Sequence, residues 1–79
     1  MRASVSHIAA GLAAATGNEV TRTDLPSGSV RLEVEIPGDI SPTARYAVLL
    51  ALADADSYGH GRSQDAQRVW AIINTEGNP

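Results

Sequence analysis

The densest group of polar side chains in this 79-residue sequence lies in residues 54–65, between two segments with helical character. Two carboxylates, a phenol, an imidazole and a guanidinium occur there at alternate positions: Asp54, Asp56, Tyr58, His60 and Arg62. Such groups can bind a cation or a protein partner. A polar helix–helix connection whose glycines form the turn has the same composition.

Over twelve residues this segment resembles a calcium-binding EF-hand loop. Loop positions one, three, five, six and twelve are occupied by Asp54, Asp56, Tyr58, Gly59 and Asp65. The resemblance implies a metal-responsive module in which the three aspartates coordinate calcium. A hard cation needs about six or seven oxygen ligands, and Arg62 adds a positive charge to the segment. We therefore predict no metal and no cofactor, and keep the calcium-type module as an alternative function.

The sequence contains no recognisable catalytic set. Its only histidines are His7 and His60, and it has neither cysteine nor lysine. No serine occurs in a nucleophile-elbow context, and no glycine-rich phosphate loop follows a predicted strand. We predict a protein that is not an enzyme.

Protein binding is the function that these residues favour. Tyrosine and arginine dominate interface hot spots, and exposed loops carry more than their share of binding residues. We predict a small interaction or regulatory module that binds a protein partner of unknown identity, with a homodimer as one candidate. The predicted interaction residues are Glu33, Glu35, Tyr58, His60 and Arg62.

A nucleic-acid-associated regulator is a further alternative, based on a helix-turn-helix reading of residues 41–75. The connection between the two helices would exceed the usual three or four residues. The net charge is −3 and the six arginines are scattered without forming a basic stripe. Binding to a phosphate backbone depends on such a stripe, so we do not expect a nucleic acid as partner.

The scaffold begins with a predicted helix from Ser4 to Thr16, which Gly17 ends. Apolar residues recur in it at helical spacing, and Ser4 suits the N-cap. Gly11 lies inside this helix and costs about 0.5–1 kcal/mol relative to alanine. We expect another element to cross closely there.

Residues 19–36 predict a β-hairpin, because apolar and charged residues alternate from Val30 to Ile36. A four-residue loop, Pro26 to Ser29, would fix its register. The opposing pairs would then be Leu25–Val30, Thr23–Leu32 and Thr21–Val34 on the apolar face, with Asp24–Arg31 and Arg22–Glu33 on the other.

A second helix is predicted to start at Ser41, with Pro42 in its first turn. All eight residues from Tyr46 to Ala53 are apolar. A helix that is apolar all round needs neighbours on several sides. The sheet and the first helix can cover only part of it, so the remainder requires a third helix or another chain.

The last element is predicted as a helix from Ser63, with an apolar stripe at Ala66, Val69, Trp70 and Ile73 and an end at Gly77. Residues 69–73 could instead form a third strand, because short apolar runs fit both periods. The predicted fold is α+β, a single domain over residues 1–79 in the order α-β-β-α-α, with the antiparallel hairpin packed on the helices. Ile8, Leu49 and Trp70 are predicted core residues, and the Ser29–Ile36 edge is a candidate for pairing with a second copy.

A cytoplasmic location is expected. Ser4, Ser6, His7 and Gly11 interrupt the apolar core that a signal peptide would need. No stretch approaches the roughly 20 apolar residues of a membrane span.

Overall fold

Two helices pack on one face of a four-stranded antiparallel sheet. The computed structural model describes residues 4–74. In chain order the elements are α1 (Val5–Thr16), β1 (Thr21–Asp24), β2 (Ser29–Ile36), α2 (Pro42–Ala53), β3 (Ser57–Arg62) and β4 (Gln67–Asn74). The strands lie in the order β1-β2-β4-β3. The predicted α+β class is confirmed, whereas the order of elements is α-β-β-α-β-β.

Local chemistry places the starts of both helices and the end of α1. The Ser4 side-chain oxygen accepts the backbone N–H of His7, and that of Ser41 accepts the N–H of Ala44. These bonds satisfy backbone donors that have no partner within the helix. Gly17 ends α1 in the left-handed conformation, with a φ of 74°. The two predicted helix starts are confirmed.

The predicted third helix is wrong, because residues 57–74 form the β3–β4 hairpin. The residues of β4 alternate between a buried set, Val69, Ala71 and Ile73, and a less buried set that includes Trp70 and Ile72. β-branched and aromatic residues suit a pleated surface. β4 pairs with all eight residues of β2, which makes β2 an inner strand. Gly77, the predicted end of that helix, lies outside the described residues.

The register of the first hairpin differs by one residue from the prediction. Thr23 lies opposite Arg31, and Asp24 lies opposite Val30. The Leu25 N–H donates to the Ser29 carbonyl at 2.8 Å, which leaves a three-residue loop. Gly28 takes a φ of 89° in this loop, as in a type I turn followed by a bulge. All four residues of β1 are exposed, so burial does not fix the register.

The core lies between the helices and the inner strands. Its residues come from α1, α2, β2 and β4: Ile8, Leu12, Val48, Leu52, Val30, Leu32, Val34, Val69, Ala71 and Ile73. Gly11 marks the close helix crossing that the sequence predicts, because a Cβ there would lie 3.5 Å from the Ala51 Cβ. Ile8 is confirmed as a core residue.

Leu49 and Trp70 are wrong as core predictions. Leu49 is 54% exposed, and Trp70 is half-buried on the sheet face that the helices leave open. Two strands, β3 and β4, take the place of the predicted third helix, so no helix within residues 4–74 covers the outer side of α2.

Candidate functional site

The outer side of α2 presents a contiguous apolar stripe. Tyr46, Leu49, Leu50 and Ala53 follow the i, i+3, i+4, i+7 spacing that places side chains on one helical face. Tyr46, Leu49 and Leu50 are each more than half exposed, at 62%, 54% and 53%. Only Val48 and Leu52 of this helix are buried. Within residues 4–74 the run from Tyr46 to Ala53 is therefore only partly covered, and the predicted third helix that would have covered the rest is absent from these residues.

An apolar cleft of about 250 Å³ separates α2 from β3. Val48, Leu49 and Leu52 line it from the helix, and Tyr58 and His60 line it from the strand. The basic residues of its lining are Arg45, His60 and Arg68, and none of its lining residues is acidic. Of the basic side chains, His60 lies on the helix side of the sheet, whereas the Arg68 guanidinium contacts Glu33 on the other face.

Strand β3 forms one edge of the sheet. It pairs with β4 along its whole length, and no other strand within residues 4–74 pairs with it. An edge strand directs half of its backbone donors and acceptors away from its neighbour, which makes it a template for a further strand. We call the exposed side chains of α2 and this strand together the α2–β3 surface: Tyr46, Leu49, Leu50, Ala53, Tyr58 and His60.

The structure divides the five predicted interaction residues between two surfaces. Tyr58, His60 and Arg62 lie in β3 opposite Ala71, Val69 and Gln67. Because opposed residues share a face and Val69 and Ala71 are buried, these three side chains are on the helix side. Tyr58 is 54% exposed there. Three of the predicted residues therefore lie in one strand beside the α2 stripe.

Glu33 and Glu35 lie on the other face of the sheet. The two Glu33 oxygens contact Arg31 at 2.8 Å and Arg68 at 3.6 Å. The Arg31 guanidinium also lies 5.7 Å from the centre of the Trp70 ring. Both glutamates belong to an inner strand rather than to a sheet edge, so the prediction that β2 pairs with a second copy is wrong.

Position 59 must be a glycine because the Trp70 ring lies against it on the open face of the sheet. The two residues are directly opposite across β3 and β4. A Cβ at Gly59 would lie 2.4 Å from an atom of the indole ring, closer than packed carbon atoms approach. The ring therefore occupies the space that a side chain at position 59 would fill.

The three aspartates of the EF-hand-like segment do not converge. Asp54 and Asp56 precede β3, while Asp65 lies in the turn that follows it. A six-residue strand spans about 20 Å at 3.3 Å per residue. Within residues 4–74, no group of three His, Cys, Asp or Glu side chains could hold a metal ion. Asp56 instead accepts the backbone N–H of Asn74 at 2.7 Å.

The helix-turn-helix arrangement considered for residues 41–75 is wrong. α2 is followed by a β-hairpin, so the described residues contain no second helix that could enter a DNA groove. Neither α1 nor α2, the helices within residues 4–74, is long and apolar enough to cross a membrane.

Sequence reasoning missed Tyr46, Leu49 and Leu50 as surface residues because their run is uniformly apolar, and such a run gives no direction for burial. The sequence did indicate that too few predicted elements were present to cover every side of this helix.

Comparisons of the chain with protein-family models, with curated proteins and with solved structures gave no match.

Proposed function

We propose that this chain is a non-enzymatic protein-interaction module that binds a protein partner through the α2–β3 surface. The observation that carries the proposal is the apolar stripe of α2 lying beside an open strand edge. Soluble monomers rarely expose large contiguous apolar patches, and patches of this kind commonly mark interaction sites.

The side chains of this surface have the composition of an interface. Fully burying a leucine contributes about 1.5–3 kcal/mol, and Leu49 and Leu50 each have about half of their surface still exposed. Tyr46 and Tyr58 add aromatic side chains with polar ends, which are enriched at interfaces. Covering these four residues would supply an apolar centre for a protein contact.

The edge of β3 would fix the orientation of the partner. A partner strand beside it would form main-chain hydrogen bonds, and its alternate side chains would face the cleft under α2. The bonds would fix the partner's orientation, while the stripe and the cleft would supply apolar burial. Both components lie on the same side of the domain.

Cross-linking and affinity capture from an extract of the native host test this proposal. We expect a partner, with a second copy of the chain counting as one, whose cross-links map to α2 and β3. Replacing the stripe leucines, Leu49→Asp with Leu50→Asp, should abolish capture because two charges would have to be buried.

Ser6→Asp with Ala14→Asp is the matched control, since it introduces the same two charges at exposed positions of α1. Circular dichroism of all variants should match that of the unmodified chain. The proposal fails if no partner is captured, not even a second copy. It also fails if the paired leucine substitutions leave capture unchanged.

A further inference from the structure

We infer that the partner of the α2–β3 surface is a second copy of this chain, joined by antiparallel pairing of the two β3 strands about a two-fold axis. The inference rests on the proposed function and names the occupant of that surface. A two-fold interface uses the same patch on both subunits, so the patch must be complementary to itself. The distribution of charge along β3 meets that requirement.

Strand β3 carries opposite charges at its two ends. Asp56 comes immediately before the strand, and Arg62 is its last residue. Antiparallel pairing centred on Gly59 places Asp56 of each copy opposite Arg62 of the second copy. Opposite charges directly across two strands are stabilising, and the two-fold axis produces this pair twice. A carboxylate has about four lone-pair sites, so Asp56 can accept from Arg62 of the second copy in addition to the Asn74 N–H.

The same register is compatible with the side chains near the axis. Gly59 faces its own equivalent, and the Trp70 ring already fills the space over it. On the helix side, Tyr58 lies opposite His60 of the second copy. Both side chains line the cleft, so pairing covers the open side of the cleft in both copies.

Layer spacing brings the two α2 helices together on the side that faces β3, which carries Leu49. Strands lie about 4.8 Å apart and packed helices about 8–10 Å apart, so one helix covers two strands. Each copy has four strands under two helices. Joining the copies at β3 gives eight strands under four helices, with the two α2 helices as inner neighbours. The further neighbour that the all-apolar run of α2 requires is then α2 of the second copy.

Cysteine pairing tests this register directly, because the chain has no cysteine of its own. Ser57 and Gly61 are four residues apart in one strand, about 13 Å. In the proposed dimer they lie directly opposite across the two copies, where Cα atoms are about 4.5–5.5 Å apart. That separation suits a disulfide. A side chain at Gly61 meets no atom within 4 Å, so both positions accept the change.

An equimolar mixture of the single variants Ser57→Cys and Gly61→Cys should form a covalent dimer under mild oxidation. The expected yield is several times that of either variant alone. Thr21→Cys mixed with Gly61→Cys is the matched control, because Thr21 lies in the opposite edge strand. It should give only the background yield.

Light scattering provides the second measurement. The unmodified chain should show twice the 8.2 kDa mass of one chain, and Leu49→Asp with Leu50→Asp should halve it without changing the circular dichroism. A monomeric mass at about 1 mM, where even weak association is detected, would overturn the inference. So would a dimer in which the Ser57–Gly61 mixture cross-links no better than the control.

The failure of this inference is distinguishable from failure of the proposed function. A monomeric chain that still captures a host protein, with capture lost in the leucine variants, overturns the second copy as partner and leaves the interaction module standing. A monomeric chain that captures nothing overturns both.

Discussion

The two halves of this domain bury their helices to different extents, although α1 and α2 are both twelve residues long. In α1, Ile8, Leu12 and Thr16 are buried, and the helix packs on the inner strand β2. In α2, only Val48 and Leu52 are buried, and larger side chains remain outside. Within residues 4–74, the apolar face of α1 is covered, whereas the outer side of α2 stays exposed.

The two sheet edges differ in the same way. β1 has four residues, and both Arg22 and Asp24 lie in it. Short edge strands with charged side chains resist pairing with other chains. β3 has six residues, includes the exposed Tyr58 and lies beside the exposed Leu49 of α2. The half with the more exposed helix therefore also has the longer edge strand, and this contrast supports the proposed interaction surface.

The largest expected difference is in the free energy of unfolding when one leucine of each helix is replaced by alanine. Leu12→Ala removes a side chain with no exposed surface and should lower the free energy of unfolding by about 2–5 kcal/mol through the cavity it leaves. Leu50→Ala on α2 should change it by no more than about 0.5 kcal/mol. Urea unfolding at concentrations where the chain is monomeric measures both. Equal losses would contradict the contrast between the helices.

The next effect concerns the two glycines of β3. Gly59→Ala should cost about 1–3 kcal/mol, because the new Cβ displaces the Trp70 ring, and tryptophan fluorescence should shift to longer wavelength. Gly61→Ala is the control, since a Cβ there meets open space. It should leave both stability and fluorescence unchanged. If the two substitutions behave alike, the ring does not lie over Gly59.

A smaller effect should be the same in both halves. Ser41→Ala removes the side-chain oxygen that caps α2 and should cost about 1 kcal/mol. Ser4→Ala removes the equivalent cap of α1 and should cost a similar amount. Thermal unfolding followed by circular dichroism gives both values. A large difference would show that the caps depend on how deeply each helix is buried.

The smallest effect lies on the open face of the sheet. Arg31→Gln removes the 2.8 Å ion pair with Glu33 and the contact with Trp70, and should cost about 0.5–1 kcal/mol. Arg68→Gln removes only a 3.6 Å contact from a half-exposed side chain and should cost less. Both losses should shrink at high salt, because exposed charges are screened. Salt-independent values would exclude the ion pairs as their source.

Local chemistry accounts for the features that the sequence predicted correctly. Ser4 and Ser41 cap helices, Gly17 ends one, and the alternating residues of β2 form a half-buried strand. Each of these depends on a few neighbouring residues, whose hydrogen bonds or steric limits act whatever surrounds them.

The candidate site was only partly predictable. Tyr58, His60 and Arg62 were selected by residue type, and the structure places them in one strand beside α2. Glu33 and Glu35 were selected as edge residues, although their strand has neighbours on both sides. The exposure of Leu49 and Leu50 could not be predicted from an all-apolar run, because exposure depends on which elements remain to cover it.

By itself, the amino-acid sequence determined where the helices start, which face of β2 is apolar, and that the chain turns within residues 26–29. Only the tertiary structure decided that residues 67–74 are a strand, because their apolar spacing fits a helix as well, and pairing with all of β2 outweighs that local preference. It also decided the first hairpin's register and the exposed side of α2. Neighbours distant in the sequence fix both, and no local pattern contains them.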